Sequence, residues 1–219
     1  IVSSVEHHAV LDSAKYLAKY FGFEVSYIPV NREGLVDPED VRKSIKDNTA
    51  IVSIMYGNNE TGAVEPIEEI GKIIAEVKAE RKISGSTLPL VFHTDAVQAF
   101  QYIDIDVTKL GVDMLSLTGH KFYGPKGVGL LYVKRGTKFL PQQQGGAQER
   151  GLRAGTENVS GIVGMVEAME LAVNNRTEYK KHSESIRDHL EARIIKEIPD
   201  VELIGPKNNK KRLPHISSF

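Results

Sequence analysis

One lysine has the sequence context of a chemically active amine. Lys121 follows a mostly apolar run, 112–117, and precedes a glycine-rich stretch, 124–129. A hydroxyl and an imidazole, those of Thr118 and His120, stand just before it. This context predicts an amine at the edge of a buried pocket, where desolvation disfavours the ammonium form and leaves a nucleophile. Such a lysine can form a Schiff base with an aldehyde cofactor.

Three other polar side chains occupy comparable positions along the chain. His7, Asn59 and Asp95 each follow a strand-like segment closely, as Lys121 does. In an open parallel sheet, ligands bind in the crevice outside the carboxyl ends of the strands. We therefore expect these four side chains to line a single site.

Strand-like and helix-like segments alternate along the chain. This alternation predicts an α/β protein with a mostly parallel sheet covered by helices on both faces. Asp37 and Pro38 have the residue types of a helix N-cap and a first helical position. The predicted strands are 1–5, 24–30, 50–56, 88–94, 114–118 and 128–133, and the main predicted helices are 8–20, 66–81, 159–173 and 176–198.

The composition limits the class of protein. With 28 basic and 29 acidic side chains the formal net charge is −1, which argues against nucleic acid or an anionic membrane surface as a partner. We also expect no transmembrane helix, because no apolar run is long enough. The absence of cysteine fits a reducing compartment, so we expect a cytoplasmic location, with the mitochondrial matrix as the alternative.

Both ends of the chain lie in or next to a strand-like segment, as the ends of a fragment would. The chain enters strand-like sequence at Ile1, and residues 213–219 fall inside or just before another strand-like stretch. We therefore expect the chain to be the central part of a larger protein.

Two motifs suggest other chemistry but fit it poorly. His93-Thr94-Asp95 has the residue types of a metal-binding pair, yet a strand sends His93 and Thr94 to opposite faces and no third ligand is evident. The stretch 124–129 has the glycines of a nucleotide loop but not its spacing, so we predict a tight turn there. We therefore predict no metal site.

Five sequence blocks in a fixed order carry a family resemblance. They resemble those of the class V aminotransferase family, in its branch of cysteine desulfurases and selenocysteine lyases, and the resemblance covers essentially the whole chain. The blocks are Glu6-His7-His8-Ala9, Asn58-Asn59-Glu60-Thr61-Gly62, His93-Thr94-Asp95-Ala96-Val97-Gln98, the Lys121 segment 116–127, and Gly145-Gly146-Ala147-Gln148-Glu149-Arg150 running on to Gly155-Thr156-Glu157-Asn158.

The resemblance implies a fold, a cofactor and a domain division. The fold would be the large domain of the pyridoxal-phosphate-dependent transferases of fold type I, incomplete at both ends. Residues 1–173 would form this partial cofactor-binding domain. Residues 174–219 would form a long helix and the start of a C-terminal small domain. The cofactor would be pyridoxal 5'-phosphate, held by Lys121.

The resemblance also implies roles for residues around the cofactor ring. Asp95 would pair with the protonated pyridine nitrogen, and Gln98 would lie by the phenolic oxygen. His7 would stack on the ring and could move protons. Asn59 would contact the cofactor or the substrate. The structural alternatives are a helix cap for Asp95 and His7, a turn for Asn59 and a surface position for Gln98.

Three further residues would bind the cofactor's phosphate. Thr118 and His120 offer hydroxyl and imidazole donors for it. Thr156 would reach the phosphate of a neighbouring subunit, which implies a homodimer with shared sites. The structural alternatives are a strand-end turn for Thr118 and His120, and a helix N-cap for Thr156.

The activity implied by the resemblance is removal of sulfur or selenium from L-cysteine or L-selenocysteine to give L-alanine, with a sulfur or selenium acceptor protein as a partner. Within this branch, the spacing before His93 and the Arg212-Leu213-Pro214 ending resemble the selenocysteine lyases somewhat more than the desulfurases. The family's catalytic cysteine and carboxylate-binding arginine would lie beyond Phe219, so we expect no protein persulfide on this chain alone. The alternatives are another class V aminotransferase and a non-catalytic fragment.

Overall fold

A six-stranded sheet organises the chain, in the order β2-β1-β3-β4-β5-β6. The computed structural model describes all 219 residues. The strands from β1 to β5 pair in parallel with their neighbours, and only β6 runs antiparallel, against β5. The strands are β1 (Val2–Ser3), β2 (Tyr27–Ile28), β3 (Ile51–Ser53), β4 (Val91–Asp95), β5 (Met114–Thr118) and β6 (Gly129–Val133). The predicted mostly parallel α/β fold is confirmed.

Six α-helices connect or follow the strands. None of them is both long enough and apolar enough to cross a membrane. They are α1 (His8–Phe21), α2 (Pro38–Ser44), α3 (Ile67–Ile83), α4 (Val107–Leu110), α5 (Val159–Asn174) and α6 (Arg176–Glu197). The four main predicted helices are present within a few residues of their expected ends, whereas the single turn of α4 is too short to leave a periodic pattern.

Local side-chain chemistry fixes where the helices begin. Asp37 caps α2 as predicted, since its Oδ1 accepts a hydrogen bond from the Glu39 amide at 2.9 Å. Asn158 caps α5 by accepting from the Gly161 amide at 3.1 Å. The alternative that Thr156 caps this helix is therefore wrong, because Asn158 stands directly before its first turn.

One apolar core of 21 buried residues joins the sheet to its helices. In β4 and β5 the side chains alternate, so that Phe92, Leu115 and Leu117 are buried while His93 and Ser116 on the opposite face are half-buried. Helix α3 contributes several isoleucines to this core, and α5 contributes Met165 and two alanines. Helix α1 contributes no buried residue. The helices therefore bury one face of these central strands more completely than the other.

The strands β1, β2 and β3 are shorter than predicted. Past the last ladder pair of β3, the Ile54 and Tyr56 amides still donate to carbonyls of β4, but the pairing toward β1 is lost. The amide of Met55, for example, donates to the Glu6 carboxylate instead of to a neighbouring strand. Sequence alternation does not reveal such a side-chain acceptor, so it overestimates the strand length.

The C-terminal segment, 208–219, contains a short 3-10 helix, Asn209–Lys211, which is followed by a loop and not by a strand. Its one ladder contact is an isolated bridge between Arg212 and Ala63. The buried Arg187 of α6 donates to the Leu213 carbonyl at 3.2 Å, and Arg212 pairs with Glu191 of the same helix. Arg212 also donates to the Ile216 carbonyl at 3.0 Å. Helix α6 thus holds the segment through side chains, which explains why the expected strand does not form.

Removing the Glu191 carboxylate tests this anchoring. In Glu191→Ala the Arg212 guanidinium, whose side chain is 3% exposed, loses its charged partner. Loss of one member of a buried ion pair costs about 3 to 5 kcal/mol, so we expect the free energy of unfolding in urea to fall by about 3 kcal/mol.

The exposed Arg193–Glu197 pair on the same helix supplies the matched control. Arg193→Ala is expected to cost about 0.5 kcal/mol or less, because solvent already screens that pair. Equal losses in the two variants would contradict a special role for the buried pair.

Candidate active site

The carboxyl ends of β1, β3, β4 and β5 meet at one edge of the sheet because these strands are parallel. The loops that follow them carry His7, Asn59, Gln98 and Lys121, and Asp95 is the last residue of β4. The strand order reverses at β1, which pairs with β2 on one side and β3 on the other. Ligands of open α/β sheets bind at such a switch point. The structure therefore places these five candidate residues along one edge.

Buried Glu6 ties together the loops after β1 and β3. Its Oε1 accepts hydrogen bonds from the Ser3 hydroxyl at 2.8 Å and from the Met55 amide at 2.6 Å. Its Oε2 is buried without a partner. Burial raises the pKa of Glu6 to about 7, against the opposing effect of these two hydrogen bonds. The sequence analysis quoted Glu6 only as a neighbour of His7 and missed this role.

Asn58 shapes the turn that presents Asn59. The side-chain Nδ2 of Asn58 donates to the Val5 carbonyl at 3.0 Å, and its Oδ1 accepts from the Glu60 and Thr61 backbone amides, each at 2.8 Å. Asn58 is buried, whereas Asn59 is half-buried and uses its side chain in no hydrogen bond. Asn58 is therefore structural, as interpreted from the sequence, and Asn59 is the member of the pair that is free for a ligand.

Asp95 has one carboxylate oxygen available. Its Oδ1 accepts from the Val97 amide at 2.9 Å, which is the capping role considered as its alternative, but Oδ2 bonds to no group of the chain. Backbone bonds fix its position, since the Tyr56 amide donates to the Asp95 carbonyl at 2.8 Å. The carboxylate can thus cap the turn and still bind a cationic group.

Lys121 is exposed, which differs from the predicted burial of its amine. It lies on a short 3-10 helix, Gly119–Phe122, whose two end residues are buried and take the side facing the core. Residues 120 and 121 therefore turn outward. This helix ends at Tyr123, which adopts a left-handed backbone conformation with φ 67°. The segment presents the exposed amine outside the strand end.

Thr118 and His120 form a pair beside the lysine. The Thr118 hydroxyl lies 3.0 Å from His120 Nδ1 and 3.3 Å from the Val128 carbonyl oxygen. The hydroxyl has one proton to donate. If it donates this proton to the Val128 carbonyl, it accepts a hydrogen bond from a protonated Nδ1 of His120. The two side chains are brought together as expected for a shared anion, although the contact with Val128 also fits the strand-end turn considered as their alternative.

Gln98 contacts a residue that the sequence analysis missed. His215 Nε2 lies 3.4 Å from Gln98 Oε1, and the His215 ring stacks on Tyr102 with 4.5 Å between ring centroids. Partial burial and then the nearby Lys121 charge lower the pKa of His215 to about 4. No sequence signal could have identified this contact, because 117 residues separate His215 from Gln98.

The remaining histidines near the sheet edge have structural contacts. His7 Nδ1 accepts from the Ala9 amide at 3.2 Å and caps α1, which leaves Nε2 to carry the proton of the neutral ring. His93 lies between the hydroxyls of Ser53 and Ser116, at 2.8 and 2.9 Å. Burial lowers the pKa of His93, which favours a neutral ring.

The structure contains no group of three His, Cys, Asp or Glu side chains suited to a metal ion.

Thr156 lies apart from these contacts. It is exposed in the loop before α5 and forms no hydrogen bond to another candidate residue. The preceding Gly155, with φ 106°, donates its amide to the Gln148 side chain at 3.2 Å. Within one chain, Thr156 therefore adds nothing to the group around Lys121.

The comparisons with known proteins cover the whole chain. The family model described as aminotransferase class-V matches residues 1–219. A protein named cysteine desulfurase IscS, from Dictyoglomus turgidum, is 48% identical over 219 residues, which is 100% of this chain and 52% of that protein. A cysteine desulfurase from Nostoc is 45% identical over 220 residues, covering 100% of this chain and 51% of that protein. The chain spans about half the length of the curated relatives it matches.

Solved structures give the same result for the fold. A NifS-like protein superimposes with a TM-score of 0.85 and 39% identity, covering 97% of this chain and 55% of that structure. A structure described as SspA in complex with cysteine has a TM-score of 0.70 and 42% identity, covering 77% of this chain and 46% of its own.

The donor set at the sheet edge fits pyridoxal phosphate. Lys121 supplies an amine for an aldehyde, and the free Oδ2 of Asp95 supplies a negative charge for a pyridinium. The Thr118 and His120 pair supplies polar groups for a phosphate. The chemistry that such a ring needs is thus present on adjacent strand ends.

Glu6 makes the stability of this edge depend on pH. The folded chain keeps the Glu6 proton up to about pH 7, whereas the unfolded chain releases it near the ordinary glutamate pKa of 4.5. Between these values the folded state binds more protons, so the free energy of unfolding falls as the pH rises. We expect Glu6→Gln to reduce this fall when urea unfolding is measured across the range; the part due to buried Glu65 remains.

Glu60→Gln is the control, because Glu60 is exposed on the next loop of the same edge. It should leave the pH dependence unchanged. A Glu6→Gln curve with the slope of the unsubstituted protein would show that Glu6 is already ionised in the folded state.

Proposed function

Since this chain belongs to the class V aminotransferase family, we propose that it is the cofactor-binding part of a pyridoxal-phosphate-dependent cysteine desulfurase. The observation that carries the proposal is the placement of Lys121 and Asp95 at the carboxyl ends of the neighbouring strands β5 and β4. An amine and a carboxylate in this arrangement are the two groups that the cofactor requires at its aldehyde and at its ring nitrogen.

In this proposal, each candidate residue binds a defined part of the cofactor. Lys121 holds it covalently through Nζ, and Asp95 pairs with the ring nitrogen through Oδ2. Thr118 and His120 bind the phosphate, and Gln98 lies by the phenolic oxygen. When bound, pyridoxal phosphate supplies an electron-accepting ring that stabilises negative charge on the substrate's α-carbon.

Two residues of the chain handle protons. Lys121 Nζ moves the α-proton of the substrate, because the exposed amine can approach a substrate at the strand end. His7 can donate from Nε2, since its Nδ1 already accepts from the Ala9 amide. Asn59, with its free side-chain amide, binds the cofactor or the substrate.

We propose L-cysteine as the substrate. The support comes from the curated relatives, which are named cysteine desulfurases, and from the related structure described as a complex with cysteine. The sequence features that favoured selenocysteine lyase, the spacing before His93 and the Arg212-Leu213-Pro214 ending, have no support from these comparisons. L-Selenocysteine is therefore the second substrate to test, and L-alanine is the product.

The assembly and the surroundings are further parts of the proposal. Exposed Thr156 lies apart from the other site residues, which suits a role at the phosphate of a partner subunit in a homodimer. A protein acceptor takes the sulfur, in a cytoplasmic location. Residues 1–173 act as the large domain, and residues 174–219 begin the small one.

Absorbance with added pyridoxal phosphate tests the central residue. The unsubstituted protein should develop a visible band from lysine-bound cofactor, and Lys121→Ala should lose it because Lys121 is the lysine on the 3-10 helix that directly follows β5. Lys126→Ala, at an exposed lysine on the following turn, should keep the band.

Product analysis then tests the reaction. With L-cysteine and a small thiol as sulfur acceptor, the loaded protein should release alanine and pass sulfur to the thiol. Conversion of an added keto acid into its amino acid, with 3-mercaptopyruvate formed from cysteine and no sulfur released, would instead identify an aminotransferase of the same family. A band that persists in Lys121→Ala would contradict the assignment of the lysine.

A further inference from the structure

His215 reaches the candidate site from the far end of the chain. Its ring lies between the Gln98 side chain and Tyr102, in a stack with an interplanar angle of 21°. Tyr102 is 7% exposed and is itself backed by α6, whose Ser183 hydroxyl lies 3.5 Å from the tyrosine oxygen. The imidazole therefore rests on a buried aromatic surface at the edge of the site.

The backbone around His215 is fixed on both sides. Leu213 is fully buried, its amide donates to the Gly62 carbonyl at 2.8 Å, and its carbonyl accepts from Arg187. On the other side, the Ile216 carbonyl accepts from Arg212 at 3.0 Å. Two buried guanidinium groups thus set the position of the loop that presents the ring.

In the contact between His215 and Gln98, the donor and the acceptor can be assigned. Gln98 Oε1 can only accept a hydrogen bond, so the contact is a hydrogen bond in the His215 tautomer that carries its proton on Nε2. With Oε1 engaged in this way, the amide NH₂ of Gln98 points away from His215. The phenolic oxygen of the cofactor, when deprotonated, is an acceptor and needs a donor of this kind.

We propose that His215 is a positioning residue that orients the Gln98 amide so that its NH₂ group, and not its oxygen, faces the cofactor's phenolic oxygen. This inference rests on the proposed function, because it requires the cofactor to lie beside Gln98. His215 acts through Gln98 and touches neither the substrate nor the reacting atoms.

Two features of the site support this role. Partial burial and the charge of Lys121 keep the pKa of His215 low, so the ring is neutral near pH 7 and has a single N–H to place. The distance of 3.4 Å is long for a hydrogen bond, and such contacts in ligand-free sites often shorten when the ligand binds. The ring is thus available to support Gln98 once the cofactor engages the NH₂ group.

The test compares two replacements at position 215 in the protein loaded with pyridoxal phosphate. His215→Phe keeps an aromatic ring for the stack on Tyr102 but removes the donor. His215→Gln replaces the donor with an amide N–H of similar reach. The measured quantity is the pH midpoint of the visible cofactor band, which reports how well the site stabilises the deprotonated phenolic oxygen.

In His215→Phe the midpoint should rise by about one pH unit, because a hydrogen bond to a charged oxygen is weakened. His215→Gln should restore most of the shift. His189→Ala, which removes an exposed histidine of α6, should leave the midpoint unchanged. If the ring had only a structural role, the midpoint would not rise in His215→Phe and return in His215→Gln.

A second measurement needs no cofactor. The ¹⁵N chemical shifts of the His215 ring should show protonation at Nε2 and not at Nδ1. An Nδ1-protonated ring, or an unshifted midpoint in His215→Phe, would overturn the proposal while leaving cofactor binding intact. Absence of any cofactor band in the unsubstituted protein would instead contradict the proposed function, and this inference with it.

Discussion

The parallel pairing of β1, β3, β4 and β5 is the constraint on which the site depends. Parallel strands all run in the same direction, so the residues that follow each of these strands lie at the same edge of the sheet. Backbone bonds from Tyr56 to Asp95 and from Ala96 to Ser116 carry the alignment into the loops. Side chains that are far apart in sequence therefore become neighbours without any direct attraction between them.

This edge includes groups that are costly to bury. Glu6 and Glu65 each have one carboxylate oxygen that is buried without a partner, and burial raises the pKa of each to about 7. Each also accepts a backbone amide from a distant segment, from Met55 and from Val36. A protonated acid avoids burying a charge and can still accept these amides. The loops of the site are thus held by polar contacts whose strength depends on pH, while the apolar core lies on the other side of the strands.

The features that depend on the local pattern of apolar and polar residues could be predicted from the sequence. The alternating segments predicted the sheet and the main helices, and the position of Asp95 and Lys121 after strands predicted a shared edge. Long-range contacts could not be predicted, since nothing near Gln98 indicates that His215 reaches it. The exposure of Lys121 was also missed, because the orientation of the 3-10 helix depends on which of its neighbours, here Phe122, is taken into the core. The local periodicity of the sequence does not indicate which side chains of a short helix pack into the core.

Reductive trapping of the cofactor shows directly which lysine binds it. Pyridoxal phosphate bound to the protein is fixed in place with borohydride, and the modified peptide is then located by mass spectrometry. We expect a single phosphopyridoxyl group on the peptide that contains Lys121. Label spread over several of the surface lysines, or found mainly on a peptide distant from the end of β5, would contradict the assignment of this edge as the active site.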